Sequence, residues 1–252
     1  MVSLSNQDPF AGLAAVFAAA PVHVDPHRQA RKGIPEIVLA GAKPLDLTVA
    51  AVRALLEHSP AGRVLVSRAS AQTAERLRAE LEPLRTEIFV APSGGTLVVA
   101  RAGAPAPAET GGVVGLLTAG ASDAPVADEA ACVAREMGCR VVRADDVGVA
   151  GLHRLEAPLR ALRAAGADVV VVAAGMDGAL PSVVAGLVDV PVIGLPTSVG
   201  YGLGGGGVAA LLSMLQTCAP GLTVVNIDNG VGAGATAALL ANRMAAARRA
   251  AD

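Results

Sequence analysis

The chain reads as a two-part α/β protein: a flavodoxin-like, doubly wound parallel sheet behind a smaller N-terminal α/β domain. Three observations predict this. From Val113 onward, apolar runs of strand length alternate five times with stretches of helical spacing. The runs are continuously apolar rather than alternating, as strands covered on both faces are. The preceding hundred residues mix elements less regularly and end in RAGAPAPAETGG (101–112), an Ala/Pro/Gly stretch without periodicity that reads as a linker. The expected divisions are therefore a segment 1–22, a small α/β domain 23–100, the linker 101–112 and a larger domain 113–252.

In the small domain, EIVLAG (36–41), RVLVSRA (63–69) and TLVVA (96–100) are strand-like. LDLTVAAVRALLEH (45–58) and SAQTAERLRAELEP (70–83) space their apolar residues as helices do and begin with good caps. In the larger domain VVGLLTAG precedes helical APVADEAACVAREMG, and RVVRA precedes GLHRLEAPLRALRAAG. DVVVVAAG then leads into GALPSVVAGLV, VPVIGLP into GGVAALLSMLQT, and LTVVNI into AGATAALLANRMAAARR. Doubly wound sheets bind ligands beyond the carboxyl ends of their strands. Here those ends lead into TAGASD (118–123), DDVGVAG (145–151), AGMDGALPS (174–182), PTSVGYGLGGGG (196–207) and NIDNGVGAG (226–234). Gly with Asp, Asn, Ser or Thr is ordinary in any one turn. Five such segments on one edge point to a binding site.

Composition narrows the class. Of 252 residues 53% are hydrophobic and only 2% aromatic, with no Trp and one Tyr, so Ala, Val and Leu must build the core. The net charge of −2 and the scattered basic residues give no stripe for a phosphate backbone, which disfavours a nucleic-acid partner. The apolar stretch Leu13 to Val24 lacks a basic leader, follows Asp8 and is too short to span a bilayer, so a soluble cytoplasmic protein without a membrane partner is expected. Cys132, Cys139 and Cys218 form an odd set without CxxC spacing, which predicts free thiols rather than disulfides or structural zinc. His23, Asp25 and His27 leave two readings open, a metal string or a helix start at Asp25-Pro26 with surface histidines.

Individual residues also carry two readings. GLGGGG (202–207) opens a helical stretch and could cradle an anion on its backbone N–H groups or act as a mobile lid. Asp123 either caps the following helix or does chemistry. Asp177 follows the most buried-looking strand, where a low-dielectric setting raises a carboxyl pKa and suits it to proton transfer. Asp145 and Asp146 are equally placed. For Cys218, composition alone favours a buried filler.

GLLTAGASDAPVADEA, DVGVAGLHRL, AAGMDGALPSVVAGLVDVPVIGLPTSVGYG and MLQTCAPGLTVVNIDNGVGAG resemble the LarB family of nickel-pincer nucleotide cofactor biosynthesis, and DPHRQARKGIPEIVLAGAKP (25–44) resembles its N-terminal signature. The C-terminal region is also similar to aminoimidazole ribonucleotide carboxylases, through Ser122-Asp123, His153-Arg154 and Gly178 to Pro181. Ala179 stands where those carboxylases carry histidine, which argues against the purine reaction. The LarB resemblance implies a synthase that carboxylates the nicotinate ring of nicotinic acid adenine dinucleotide with carbon dioxide or bicarbonate and hydrolyses its phosphoanhydride. The products are pyridinium-3,5-biscarboxylate mononucleotide and AMP. By resemblance Cys218 is the nucleophile, and magnesium assists at the phosphates; no tightly bound organic cofactor is expected. Asp177 is the candidate base, although the family more often has Glu there, and Asp123 positions the ring or takes the proton instead.

The expected substrate contacts are Gly120, Ser122, Asp146, Gly175, Met176, Gly178, Thr197, Ser198, Gly200, Tyr201, Gly204, Gly205, Asn226, Asp228 and Asn229, joined by Arg28, Arg31 and Lys43 from the N-terminal domain. Cys218 follows a helix that runs antiparallel to the strands, which puts it on the edge opposite the five loops. A catalytic Cys218 therefore implies a homo-oligomer with active sites between subunits. The competing classes are a nicotinamide-dependent oxidoreductase using the Gly202–Gly207 loop, and a nucleotide-binding regulatory module.

Overall fold

The computed structural model describes residues 22–251, so expectations for residues 1–21 lie outside it. The described residues divide into two compact units, 22–89 with 97–105, and 90–96 with 106–251.

The first unit opens with a short helix α1 (Arg28–Lys32), followed by β1 (Ile37–Leu39), α2 (Leu45–His58), β2 (Arg63–Ser67), α3 (Ala71–Leu81), β3 (Thr86–Val90) and β4 (Leu97–Arg101). Its sheet runs β1-β2-β4-β3, with β1 and β2 parallel and β4 antiparallel to β2. The helices form as their spacing predicts: Val49, Val52, Leu55 and Leu56 of α2 and Leu77 and Leu81 of α3 are buried against Val64, Val66 and Val99. The Ser70 hydroxyl caps α3 by accepting the Thr73 N–H at 3.0 Å. Strand β3 was not expected from its sequence.

The second unit contains β5 (Val113–Thr118), α4 (Ala124–Glu136), β6 (Arg140–Ala144), α5 (Glu156–Ala164), β7 (Val169–Ala174), α6 (Leu180–Ala185), β8 (Val192–Pro196), α7 (Val208–Leu215), β9 (Leu222–Val224) and α8 (Gly230–Ala251). The strands are all parallel in the order β6-β5-β7-β8-β9, the flavodoxin-like order the five repeats predict. Helices α4 and α8 pack together on one face of the sheet, and α5, α6 and α7 share a core on the other. Every residue of β5, β7 and β8 is buried, which explains their unbroken apolar runs. Among the described residues no helix is long and apolar enough to cross a membrane.

Candidate functional site

The loops at the carboxyl ends of β5, β7, β8 and β9 converge on Asp123. It closes a single 3-10 turn (Ala121–Asp123) that joins β5 to α4, and only 3% of its surface is exposed. Its Oδ1 accepts the Thr197 hydroxyl at 2.5 Å, and its Oδ2 accepts the Gly120 N–H at 2.8 Å. Thr197 is fully buried just beyond β8, its own N–H donating to the Ala174 carbonyl at 3.0 Å. Burial pushes the Asp123 carboxyl above its usual value; the Thr197 hydroxyl and the Gly120 and Gly175 N–H groups oppose this, and Asp228 adds to it by repulsion. A carboxyl group that loses its water yet keeps its donors can exchange a proton with a substrate in the loops above it.

Close backbone approach builds the floor. A Cβ on Gly175 would lie 2.2 Å from the Val199 carbonyl oxygen and 2.7 Å from Thr197 Oγ1, so only glycine fits. Gly178, at φ 61°, would clash in the same way with Ala210. Between them Met176 is exposed and holds a φ of 51°, its N–H donating to Val199 O at 2.8 Å. The Asp228 Oδ1 accepts the Ser198 N–H at 2.8 Å, which ties the β9 loop to the β8 loop. Asn229 Oδ1 accepts the Gly232 N–H at 2.8 Å and opens α8; Asn226 and Ser122 are exposed.

The structure places the predicted residues in unlike surroundings. Asp177 was expected in low-dielectric surroundings but is exposed, its Oδ1 only 3.4 Å from the Ala179 N–H, because the chain leaves β7 outward at Met176. Asp123 occupies the buried setting instead. Of NIDNGVGAG, only the first four residues remain in the loop; α8 begins at Gly230. GLGGGG leads straight into α7, with Gly207 as the N-cap, but as a 3-10 turn interrupted at Gly205 and Gly206.

Asp145 is exposed but tied down: Arg143 Nε donates to both its oxygens at 2.9 Å and the Thr118 hydroxyl donates at 3.1 Å. Arg143 also pairs with Asp128, a fully covered carboxylate on α4 that the sequence did not single out. Its only signal was an acidic pair, Asp128-Glu129, set among the alanines of a helix face. Asp146 takes the positive φ of 57° and pairs with Arg154 at 2.9 Å.

Of the three free thiols, burial raises Cys132 and Cys139 to about 11, which leaves them protonated at neutral pH. Cys218 is exposed, against the burial that composition favours. It lies between α7 and β9, at the amino ends of the strands and across the sheet from Asp123. An apolar groove of about 1000 Å³ lies between α5 and α6, lined by Leu155, Leu159 and Val183 among others, and contains none of the predicted site residues.

In the first unit, Arg31 pairs with Asp25 at 2.5 Å, Arg28 with Glu36 at 2.8 Å, and Lys43 Nζ donates to the Leu39 carbonyl at 3.2 Å. Asp25 thus serves arginines, which hold its carboxyl below the usual range, and not a metal string with His23 and His27. Among the described residues no group of three or more His, Cys, Asp or Glu side chains could hold a metal ion. Both Asp123 oxygens already accept hydrogen bonds, one from Thr197 and one from Gly120.

A model of the AIR carboxylase family matches residues 113–251, and one of the LarB/PurE-like N-terminal domain matches residues 18–88. The chain is similar to the uncharacterized protein MJ0165 of Methanocaldococcus jannaschii, with 40% identity over 224 residues, covering 88% of this chain and 84% of that protein.

Proposed function

Because the chain belongs to the LarB family, with an AIR-carboxylase-like unit and a carboxylase-type function, we propose that it carboxylates the nicotinate ring of nicotinic acid adenine dinucleotide and then hydrolyses the phosphoanhydride. The observation that carries the reading is the buried Asp123–Thr197 pair at the convergence of the ligand-facing loops. A pyridinium and carbon dioxide are both electrophiles, so the ring must first gain electrons. A thiolate adds to the ring carbon beside the one to be carboxylated, forming a C–S bond and an enamine. The enamine carbon then attacks carbon dioxide. A base removes the proton from that carbon, and the returning electron pair restores the aromatic ring and expels the thiolate.

In this reading Asp123 is the base, because it is buried and its carboxyl is shifted toward a proton-accepting range, whereas Asp177 is exposed. Cys218 is the thiolate by family resemblance, supplied by a second copy of the chain, since it lies on the far edge of its own sheet. Water then cleaves the phosphoanhydride and releases AMP.

Incubating the purified protein with the acid dinucleotide, bicarbonate and magnesium should yield AMP and a carboxylated mononucleotide by mass spectrometry. Neither product appearing sinks the reading. Asp123→Asn should lower turnover by about a hundredfold or more, the usual contribution of a general base, and Asp177→Asn by much less.

A further inference from the structure

Among the described large apolar side chains, Leu203 and Tyr201 are the most exposed, at 107% and 81% of full exposure. Both stand on the loop from Gly200 to Gly207, which contains six glycines. Some of these glycines are explained by the conformation seen. A Cβ on Gly207 would lie 2.7 Å from Thr197 O, and one on Gly204 would lie 2.8 Å from Ala209 Cβ. Gly202 and Gly206 hold φ of 70° and 67°, which favours glycine. Gly205 is different. Its backbone (φ −45°, ψ 146°) suits any residue, and a Cβ there would meet nothing within 4 Å.

The observed loop therefore gives no reason for glycine at 205, nor any packing partner for Leu203 and Tyr201. A second conformation would supply both. The loop starts three residues after Thr197, whose hydroxyl holds Asp123, and Gly200 and Gly204 lie against Met176 on the floor of the site. It is hinged where a ligand on that floor would be covered.

Resting on the dinucleotide reading above, we propose that residues 200–207 are a lid whose Tyr201 ring and Leu203 side chain close over the second base of the substrate, the adenine that is not carboxylated. A planar base offers two apolar faces, and a tyrosine ring with a leucine beside it is suited to cover one of them. Closure brings the backbone at Gly205 and Gly206 against the phosphoanhydride, where a side chain would hold the N–H groups too far away. The lid thereby selects dinucleotide over mononucleotide.

Tyr201 is the one tyrosine of a chain without tryptophan, so the tyrosine emission of the unlabelled wild-type protein reports this loop alone. The protein is titrated with nicotinic acid adenine dinucleotide, AMP and nicotinic acid mononucleotide, with calorimetry in parallel to register binding. The dinucleotide and AMP should quench Tyr201, and the mononucleotide should bind without quenching. Leu203→Ala should weaken the dinucleotide about tenfold and leave the mononucleotide unchanged. Gly205→Val has open space in the observed loop and so preserves the fold; it should weaken the dinucleotide alone.

Tyr201 emission that stays constant while calorimetry reports saturation by the dinucleotide overturns the lid and leaves the functional reading standing. Dinucleotide affinity unchanged in Gly205→Val, or emission that follows protein concentration and not ligand, as at a contact between copies, also overturns it. Absence of any heat of binding from the dinucleotide overturns both.

Discussion

At Asp123 two influences meet on one carboxyl group: burial raises its pKa from 3.8, while the Thr197 hydroxyl and two backbone N–H groups favour the charged form. Because the folded value is raised, the stability linked to this group is present at low pH and falls as pH rises through that value. A base must be ionised to act, so the acid limb of kcat should lie above the ordinary aspartate range. Thr197→Val keeps the volume and removes the donor; it should move that limb to still higher pH, whereas Thr197→Ser should restore it. A purely structural role for Thr197 would lower kcat and leave the limb in place, so the pH–rate profiles decide. The sequence brings Asp123 and Asp177 forward together but cannot rank them. Thr197, which distinguishes them, lies 74 residues from Asp123 along the chain. Asp128 was illegible for the same reason, its arginine partner arriving from a neighbouring strand.

Helices α4 and α8 pack through small residues. A Cβ on Gly230 would lie 2.5 Å from Val126 O, and one on Gly234 would lie 2.4 Å from Ala130 O. Gly230 and Gly234 of GVGAG thus serve helix contact, although the sequence read them with the ligand loops. Because the obstacle at Gly234 is backbone, Gly234→Ala should cost about 1–3 kcal/mol. Thermal denaturation should show a fall in midpoint of about 2–4 °C per kcal/mol, with no change in substrate affinity. Helix α2 was legible to its ends because Pro44 starts it and its buried face repeats at helical spacing. Strand β3 was passed over: Thr86–Val90 lies at a sheet edge with Glu87, Phe89 and Val90 exposed, and its apolar run, Ile88 to Ala91, is only four residues long and stops at Pro92. Residues 151–155 were read into the helix that follows, but they belong to a 3-10 stretch, Val149–Leu155, kinked at Gly151, and α5 begins only at Glu156.

Across the whole second unit, the two groups assigned to chemistry stand on opposite edges of one parallel sheet, Asp123 at the carboxyl ends and Cys218 at the amino ends. No single copy can bring them to one pyridine ring if that assignment holds. Asp123→Asn and Cys218→Ser proteins should each be inactive, and mixing them under conditions that exchange subunits should restore part of the turnover; an inactive mixture argues for a site within one subunit. The topology was readable because each strand and helix carries its own period, whereas the pairing of edges between copies leaves no mark in any one element. The covering of the sheet by α8 also has a consequence in time. Helix α8 packs on α4 and on β5, β7 and β8, yet it is synthesised after all five strands. On the ribosome that apolar face therefore stays open until α8 emerges, which makes the nascent chain a client for chaperones during the interval between β5 and α8.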